Sequence, residues 1–312
     1  MTVSIFNRPD IQDFLKELSG LNAAGGNARM KEITHRLMSD LFKAIDDLNI
    51  TPDEYWTGIA WLNEIGAAGQ AGLISPGLGL DHYIDERLDA IDAELGIDNP
   101  TPRTIEGPLY VAGAPESVGF ARLDDGRDLE GKTLIMHGAV HDADGKPLPG
   151  AKVEVWHCDT RGFYSHFDPT GLQAPFNMRR TIIADENGRY KFQSILPSGY
   201  GVPPGSPTEK LLSALGRHGQ RPAHIHFFVS ADGHRKLTTQ INIEGDPLIN
   251  DDFAYATREG LVPAVTERDD EASIHANGLN GPFAEIEWDI YLTQLVGGVD
   301  NQVNEKRKRA AA

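Results

Sequence analysis

Cysteine is almost absent from this chain. Cys158 is its one cysteine in 312 residues, so no intrachain disulfide can form, which is typical of proteins from a reducing compartment. The first ten residues lack an apolar core of signal-peptide length, and no stretch approaches the apolar length of a membrane span. We therefore expect a cytoplasmic protein without membrane insertion.

Clustered positive charge is also scarce. The formal net charge is −17, and no basic stripe interleaved with aromatic residues occurs. Nucleic-acid binding is therefore disfavoured, because the negative field repels phosphate. The single basic run, Lys-Arg-Lys-Arg at residues 306–309, is expected to be a solvated terminus. A phosphate-cradling glycine loop and internal repeats are missing as well.

Residues 1–100 show helical periodicity. Apolar residues from Met30 to Leu48 recur every three or four positions, which predicts one face of a helix. A capping box at Thr51–Glu54 starts a second helix, and a third starts near Leu80 and ends at Gly96. We interpret residues 1–100 as a helical domain whose apolar faces are suited to a dimer contact.

Residues 101–312 change to a period of two, after a proline-containing link at 98–103. The pattern predicts strands at 133–140, 151–158 and 283–295, a hairpin at 176–195 around an Asn-Gly turn, and a second hairpin at 221–243. Short strands with frequent turns favour an antiparallel β-sandwich, which makes the fold class α+β. The segment at 196–221 has little periodicity and is predicted to be a functional loop.

Two histidines on the second hairpin are candidate metal ligands. Side chains alternate along a strand, so His224 and His226 share one face, while Ile225, Phe227 and Val229 make the other face apolar. A stiff strand that directs two imidazoles to one point is what a metal site needs. A lone His-x-His pair is nevertheless more often two half-buried histidines, so the pair alone leaves the question open.

Two tyrosines extend this pattern. Tyr164 lies in Gly162-Phe163-Tyr164-Ser165, and Tyr200 lies in Pro197-Ser198-Gly199-Tyr200. Followed by Arg221-Pro222-Ala223-His224-Ile225-His226, they form an order that resembles the intradiol ring-cleaving dioxygenases. The run Ile105–Tyr110 and the helical N-terminal part resemble that family too, so the resemblance covers nearly the whole chain.

The resemblance implies a β-sandwich catalytic domain, a helical dimerisation domain at the N-terminus, and a homodimer with lipid at its interface. It also implies one non-haem Fe(III), bound by Tyr164, Tyr200, His224 and His226. The implied reaction opens catechol with O₂ between its hydroxyl-bearing carbons and gives cis,cis-muconate. That reaction belongs to the β-ketoadipate pathway of aromatic compound catabolism.

The resemblance also assigns roles around the metal. Tyr200 is implied to be the axial ligand that leaves when catechol binds, and Arg221 to stabilise charge that develops on the ring; we expect both to be catalytic. Gln240, on the paired strand, is a candidate for supporting substrate binding. The residues expected to form an apolar slot for the diol are Leu73, Ile105, Pro108, Leu109, Phe253 and Ala254.

Two other functions remain open from the sequence. One is a zinc hydrolase built on His224, His226 and a carboxylate such as Asp168 or Glu244, although no His-Glu-x-x-His spacing supports it. The other is a non-catalytic sandwich, because the run from Gly138 to Ala151 resembles transthyretin-like binding domains. The preference among catechol and its methyl, chloro and hydroxy derivatives is left open as well.

Overall fold

The computed structural model describes residues 3–128 and 130–295, so the basic run at 306–309 lies outside the described residues. The chain forms two compact units, the first ending at Ala67 and the second beginning at Ala68. Helices predominate up to Glu94 and strands begin at Glu116. The domain boundary between residues 100 and 101 stays a prediction.

The first unit consists of helices, which are α1 (Pro9–Leu18), α2 (Ala28–Leu48) and α3 (Pro52–Ala67). The predicted capping box starts α3: the Thr51 amide donates to Glu54 Oε2 at 2.8 Å, and the Glu54 amide donates to Thr51 Oγ1 at 3.3 Å. At the C-terminus of α2, Asn49 adopts a left-handed conformation with φ of 51° and ends the helix. Helix α1 was not predicted from the sequence.

The second unit also contains helices, and one of them interrupts the segment predicted to be a loop. They are a 3-10 turn (Ala71–Leu73), α4 (Ile74–Gly77), α5 (Leu80–Glu94), α6 (Pro207–Ala214) and α7 (Glu271–Ala276). Ser206 caps the N-terminus of α6: its Oγ accepts from the Glu209 amide at 3.2 Å, and Pro207 is at the first helical position. No helix within residues 3–128 and 130–295 is long and apolar enough to cross a membrane.

Two β-sheets make up the rest of the second unit. The strands are β1 (Glu116–Val118), β2 (Phe120–Arg122), β3 (Thr133–Asp142), β4 (Lys152–Trp156), β5 (Arg179–Ile183), β6 (Arg189–Ile195), β7 (Tyr200–Gly201), β8 (Gln220–Arg221), β9 (His224–Ser230), β10 (Leu237–Asn242), β11 (Thr266–Arg268), β12 (Phe283–Glu287) and β13 (Ile290–Leu292). One sheet has the order β1-β5-β4-β9-β10, and the other has the order β11-β12-β3-β6-β2, with β13 also on β3. The pair β7-β8 forms a separate ribbon.

The two sheets pack face to face. Alternate residues of β4 and β9, such as Val155 and Phe227, enter one buried cluster with residues of β3 and β6, such as Met136 and Phe192. Their burial supplies most of the driving force for this packing. The predicted α+β class and the β-sandwich are confirmed by this arrangement.

Strand pairing differs from the sequence-based expectation in two respects. The pairs β1-β5, β2-β6, β12-β3 and β13-β3 are parallel, so the sandwich is not wholly antiparallel. The predicted hairpin at 176–195 is wrong, because β5 and β6 lie in opposite sheets. The tight turn does form, with the Gly188 amide donating to Asp185 O at 3.0 Å. Both strands contribute to the same buried cluster, for example Ile182 of β5 and Phe192 of β6, so they face each other across the core instead of pairing edge to edge.

Candidate active site

Strand β9 carries the two histidines as predicted. Ile225, Phe227 and Val229 lie in the sandwich core, and His224 and His226 lie on the opposite face. Both histidines are buried. Strands β4 and β10 flank β9 on either side, so its side chains have little freedom to move.

His226 is held from two sides. Trp156 of β4 is its register partner, and the two rings stack with centroids 4.9 Å apart and planes 5° apart. The backbone of Gly107 packs against another side of His226: its φ is +71°, and an added Cβ would lie 3.6 Å from His226 Cε1. Within residues 3–128 and 130–295, His226 Nδ1 is buried and has no hydrogen-bond partner.

His224 is the point at which the other candidate ligands meet. Its Nδ1 lies 2.6 Å from the Pro222 carbonyl, which can only accept, so Nδ1 carries the proton and Nε2 presents a lone pair. Tyr164 Oη lies 3.3 Å and Tyr200 Oη 3.5 Å from that Nε2. The structure therefore brings both sequence-predicted tyrosines to the histidine pair.

Each tyrosine reaches the site through a defined local structure. Tyr200 lies on β7 and pairs with Arg221 of β8, which ties its loop to the start of the histidine motif. Tyr164 follows a turn in which Asp159 Oδ1 accepts from the amides of Arg161 and Phe163, both at 3.0 Å. The tyrosine rings meet edge to face with centroids 5.5 Å apart.

Burial sets the protonation of these groups. It lowers the pKa of His224 to about 3, with Arg221 adding to the effect, and it lowers the pKa of His226 well below its usual range. It raises the pKa of both tyrosines, and Arg221 opposes that rise. The histidines are thus neutral, as metal ligands must be, and the phenols need a strong positive charge before they ionise.

Arg221 is buried and fully engaged. Its Nε donates to Asp252 Oδ1 at 3.1 Å, and its Nη2 donates to Asp252 Oδ2 at 3.0 Å and to Gln240 Oε1 at 2.9 Å. Its Nη1 lies 3.0 Å from His224 Nε2. Burial alone would raise the pKa of Asp252, but the guanidinium outweighs burial and lowers it, so the pair is ionised.

The residues predicted to form the apolar slot divide between two clusters. Leu73, Ile105, Phe253 and Ala254 pack together. Leu109 packs against a second cluster, which contains Trp156, Cys158, Tyr164 and Phe228. Pro108 lies beside Gly72, where an added Cβ would come within 3.4 Å of Pro108 Cβ. Gln240 is buried and accepts a hydrogen bond from Arg221.

Three residues of this region were missed from the sequence. Trp156 could have been found only from the β4-β9 register. Asp252 lies in an irregular segment and gave no periodic signal. Arg179 begins β5 and is buried, with its guanidinium carbon 5.7 Å from the centroid of the Tyr164 ring. Burial lowers the pKa of Arg179 to about 10.

The donor set fits a metal ion that takes nitrogen and oxygen ligands. Ligand atoms about 2 Å from a metal lie about 3 to 3.5 Å apart at angles near 90 to 120°, which matches the separations of the two phenol oxygens from His224 Nε2. In the described part of the chain, no three His, Cys, Asp or Glu side chains are grouped to hold a metal. A metal at this site would need donors beyond these residue types, and the two phenol oxygens lie where they could supply them.

The same finding removes support from the zinc alternative. Asp168 pairs with Arg161 at 2.9 Å, and Glu244 Oε2 accepts from the Val265 amide at 2.9 Å. Neither carboxylate is grouped with the two histidines among the residues that the structure describes.

Comparison with known proteins identifies the family. Residues 105–294 match the family model described as "Dioxygenase", and residues 27–96 match "Catechol dioxygenase N terminus". The chain belongs to the catechol dioxygenase family. This membership confirms the resemblance that the tyrosine and histidine motifs indicated.

Catechol dioxygenases are also the chain's relatives over its full length. It is 67% identical to a protein named catechol 1,2-dioxygenase from Acinetobacter baylyi, over 99% of this chain and 100% of that protein. It superposes with a TM-score of 0.93 on the mercury-inhibited catechol 1,2-dioxygenase of Acinetobacter sp. ADP1, with 68% identity over 96% of this chain and 97% of that chain. The enzyme of Pseudomonas arvilla C-1 gives a TM-score of 0.90 and 50% identity, over 96% of both chains. The intradiol members of this family are iron-dependent oxidoreductases.

Proposed function

We propose that this protein cleaves catechol between its two hydroxyl-bearing carbons and gives cis,cis-muconate. The observation that carries the proposal is the convergence of Tyr164, Tyr200 and His224, beside His226, in a chain 67% identical to a catechol 1,2-dioxygenase. The reaction adds both atoms of O₂ to the organic product, so it needs no external reductant. We assign the same chain to the β-ketoadipate pathway of aromatic catabolism.

The metal in this proposal is a single Fe(III) held by Tyr164, Tyr200, His224 and His226. Phenolate is a hard anionic donor that suits a trivalent ion, whereas Fe(II) oxygenases typically use two histidines and one carboxylate. When bound, Fe(III) withdraws electron density from the catechol ring so that O₂ reacts at a ring carbon. The neutral imidazoles and the spacing of the phenol oxygens support this ligand set.

Tyr200 serves as a base in this proposal. As a phenolate, its Oη can accept a proton from a catechol hydroxyl, and the neutral phenol then formed is the state that burial favours. It lies on the short β7-β8 ribbon, apart from the two main sheets, one of which carries the histidines.

Arg221 stabilises negative charge that develops on the substrate. Its guanidinium lies beside His224 and is held in one orientation by Asp252 and Gln240. A fixed cation in a buried site stabilises developing charge without having to reorganise. Gln240 therefore acts by orienting Arg221, in addition to any contact with the diol.

The apolar clusters beside the site hold the aromatic ring and exclude water from it. We assign this role to the cluster of Leu73, Ile105, Phe253 and Ala254, to Pro108 beside Gly72, and to Leu109 in the second cluster, because flat apolar walls suit an aromatic diol. Exclusion of water also strengthens the interaction of Arg221 with the substrate.

The protein forms a homodimer through its N-terminal helices in this proposal, and it works in the cytoplasm. Apolar side chains along α2, among them Met30, Leu37 and Leu41, are exposed in the single chain, which supports a covered helix face. A groove of about 240 Å³ in the first unit, lined by residues such as Phe14 and Phe42, supports a bound lipid chain. Sedimentation and mass spectrometry of a lipid extract test these two points.

The test of the proposed function combines colour, metal content and product. Phenolate-to-Fe(III) charge transfer makes the purified protein red, elemental analysis gives one iron per chain, and catechol with O₂ yields cis,cis-muconate by its ultraviolet absorbance. A colourless protein that contains zinc, or a product cleaved outside the two hydroxyl-bearing carbons, would overturn the proposal. Rates on methyl-, chloro- and hydroxy-catechols then define the substrate range.

A further inference from the structure

Arg179 is a buried cation that the proposed mechanism does not use. Its side chain is essentially inaccessible, and the hydrogen bonds it makes go to one neighbouring residue: Nε donates to Ser165 Oγ at 2.9 Å and Nη2 to Ser165 O at 3.1 Å. Among the described residues, its Nη1 is buried without a hydrogen-bond partner. No carboxylate in that part of the chain forms an ion pair with it.

An unpaired buried guanidinium is strongly unfavourable, so the groups around Arg179 have to account for its burial. The guanidinium carbon lies 5.7 Å from the centroid of the Tyr164 ring and 6.0 Å from that of Phe167. Tyr164 is the one of these two rings that can carry negative charge. Arg179 thus faces an aromatic ring that becomes electron-rich when its oxygen binds a metal.

We propose that Arg179 is a positioning residue for Tyr164, which steadies the ring from its face and balances the electron density that the ring carries as a metal ligand. This inference rests on the proposed ligand set. A ferric ion with two phenolates and one hydroxide has no net charge. The electrostatic interaction of Arg179 is therefore mainly with the nearest ligand, the Tyr164 ring. Its link to Ser165, the next residue, fixes the guanidinium relative to that ring.

The chain offers two matched controls. Arg180 is the next residue, but its Nη1 donates to the carbonyls of Phe176 and Arg179 at 3.1 and 2.7 Å rather than facing a tyrosine. Arg180→Gln therefore removes the same charge without touching Tyr164. Ser165→Ala removes a hydrogen-bond partner of Arg179 and keeps the charge, so it reports the structural part of the interaction.

The experiment measures the visible absorption of the iron-loaded proteins and their affinity for iron. Loss of the cation raises the energy of the electron-rich ring, so in Arg179→Gln the charge-transfer band moves to longer wavelength and iron binding weakens by about tenfold. Arg179→Lys keeps the charge and restores most of the shift. Arg180→Gln keeps the wild-type band. Ser165→Ala keeps the cation and its bond to the Ser165 carbonyl, so it shifts the band much less than Arg179→Gln does.

Stability provides a second measurement in case the glutamine variant does not fold. Arg179→Met replaces the unpaired cation with an apolar side chain of similar length, a change that buried sites often tolerate. We expect metal-free Arg179→Met to melt no lower than metal-free wild type, and to gain less stability from iron. If metal-free Arg179→Met lost much stability but gained as much from iron as wild type does, the role of Arg179 would be purely structural.

The outcomes separate the two proposals. A colourless, iron-free wild type would overturn the ligand set and this inference together. A red wild type whose band and iron affinity are the same in Arg179→Gln would overturn the inference alone. A band that shifts equally in Ser165→Ala and in Arg179→Gln would also overturn it, since geometry rather than charge would then explain the shift.

Discussion

Replacing Asp252 with asparagine tests how the site holds Arg221. The two side chains form a two-point ion pair with N–O distances of 3.1 and 3.0 Å, and they are 4% and 1% exposed. Asparagine keeps the shape of the side chain but removes its charge. It also places an amide group opposite one of the guanidinium donors, so Arg221 remains buried without its anion.

The expected cost follows from that burial. Removing one partner of a buried ion pair destabilises a protein by about 3 to 5 kcal/mol, because the remaining charge is uncompensated. Asparagine can still accept one hydrogen bond, so we expect a loss of about 3 kcal/mol in the free energy of unfolding. A less firmly oriented Arg221 should also lower kcat by about tenfold or more.

The loss depends on pH in a defined direction. Arg221 lowers the pKa of Asp252 below its unfolded value, so the ionised carboxylate contributes its stability above that unfolded value and loses it as pH falls through the folded pKa. The stability difference between wild type and Asp252→Asn is therefore full at neutral pH and shrinks below about pH 4.

Urea unfolding at pH 7 and at acid pH, with steady-state rates on catechol, measures these effects. Asp251→Asn is the matched control, because this neighbouring side chain is 74% exposed and pairs only with His218 in the described residues; we expect it to behave as wild type. If Asp252→Asn had the stability and kcat of that control, our assignment of Asp252 as the anchor of Arg221 would be refuted.

Three further predictions concern single side chains. Tyr200→Phe should remove the activity and the share of the visible charge-transfer absorbance that comes from Tyr200, leaving the share from Tyr164; a variant with the full wild-type band and activity would exclude Tyr200 as a ligand. Arg221→Ala should lower turnover while iron content by elemental analysis stays near normal, and iron loss would instead point to a structural role. Burial raises the pKa of Asp85 to about 6 despite opposition from Arg103 and Arg258, so the contribution of Asp85 to wild-type stability should fall as pH rises from about 4 to 6. Asp85→Asn lacks this fall and should be more stable by up to about 3 kcal/mol at pH 7 in urea unfolding, whereas equal pH profiles would contradict the raised pKa.

Much of the histidine-bearing strand was predictable because its pattern is local. The period of two gave the faces of β9, and the apolar face of Ile225, Phe227 and Val229 fixed which face points to the core. The capping box at the start of α3 was predictable for the same reason, since it needs only four consecutive residues.

The remaining parts of the site depend on contacts between distant segments. Trp156 reaches His226 only through the register of two strands that are far apart in sequence. Arg179 and Arg180 are indistinguishable as letters, yet one is buried over Tyr164 and the other is half-buried against backbone carbonyls. The predicted hairpin at 176–195 failed similarly, because the same tight turn can join strands of one sheet or of two.

In the proposed ligand set, the distribution of charge favours phenols over carboxylates as partners of the histidine pair. Arg221 has Asp252 as its anion, and both histidines are neutral, which leaves Arg179 as a buried cation that faces Tyr164. A carboxylate in place of Tyr164 would be ionised at neutral pH and drawn into an ion pair with Arg179, away from the metal. A buried phenol stays neutral until a metal cation ionises it, so the charge on Tyr164 arises together with the ligand bond that needs it.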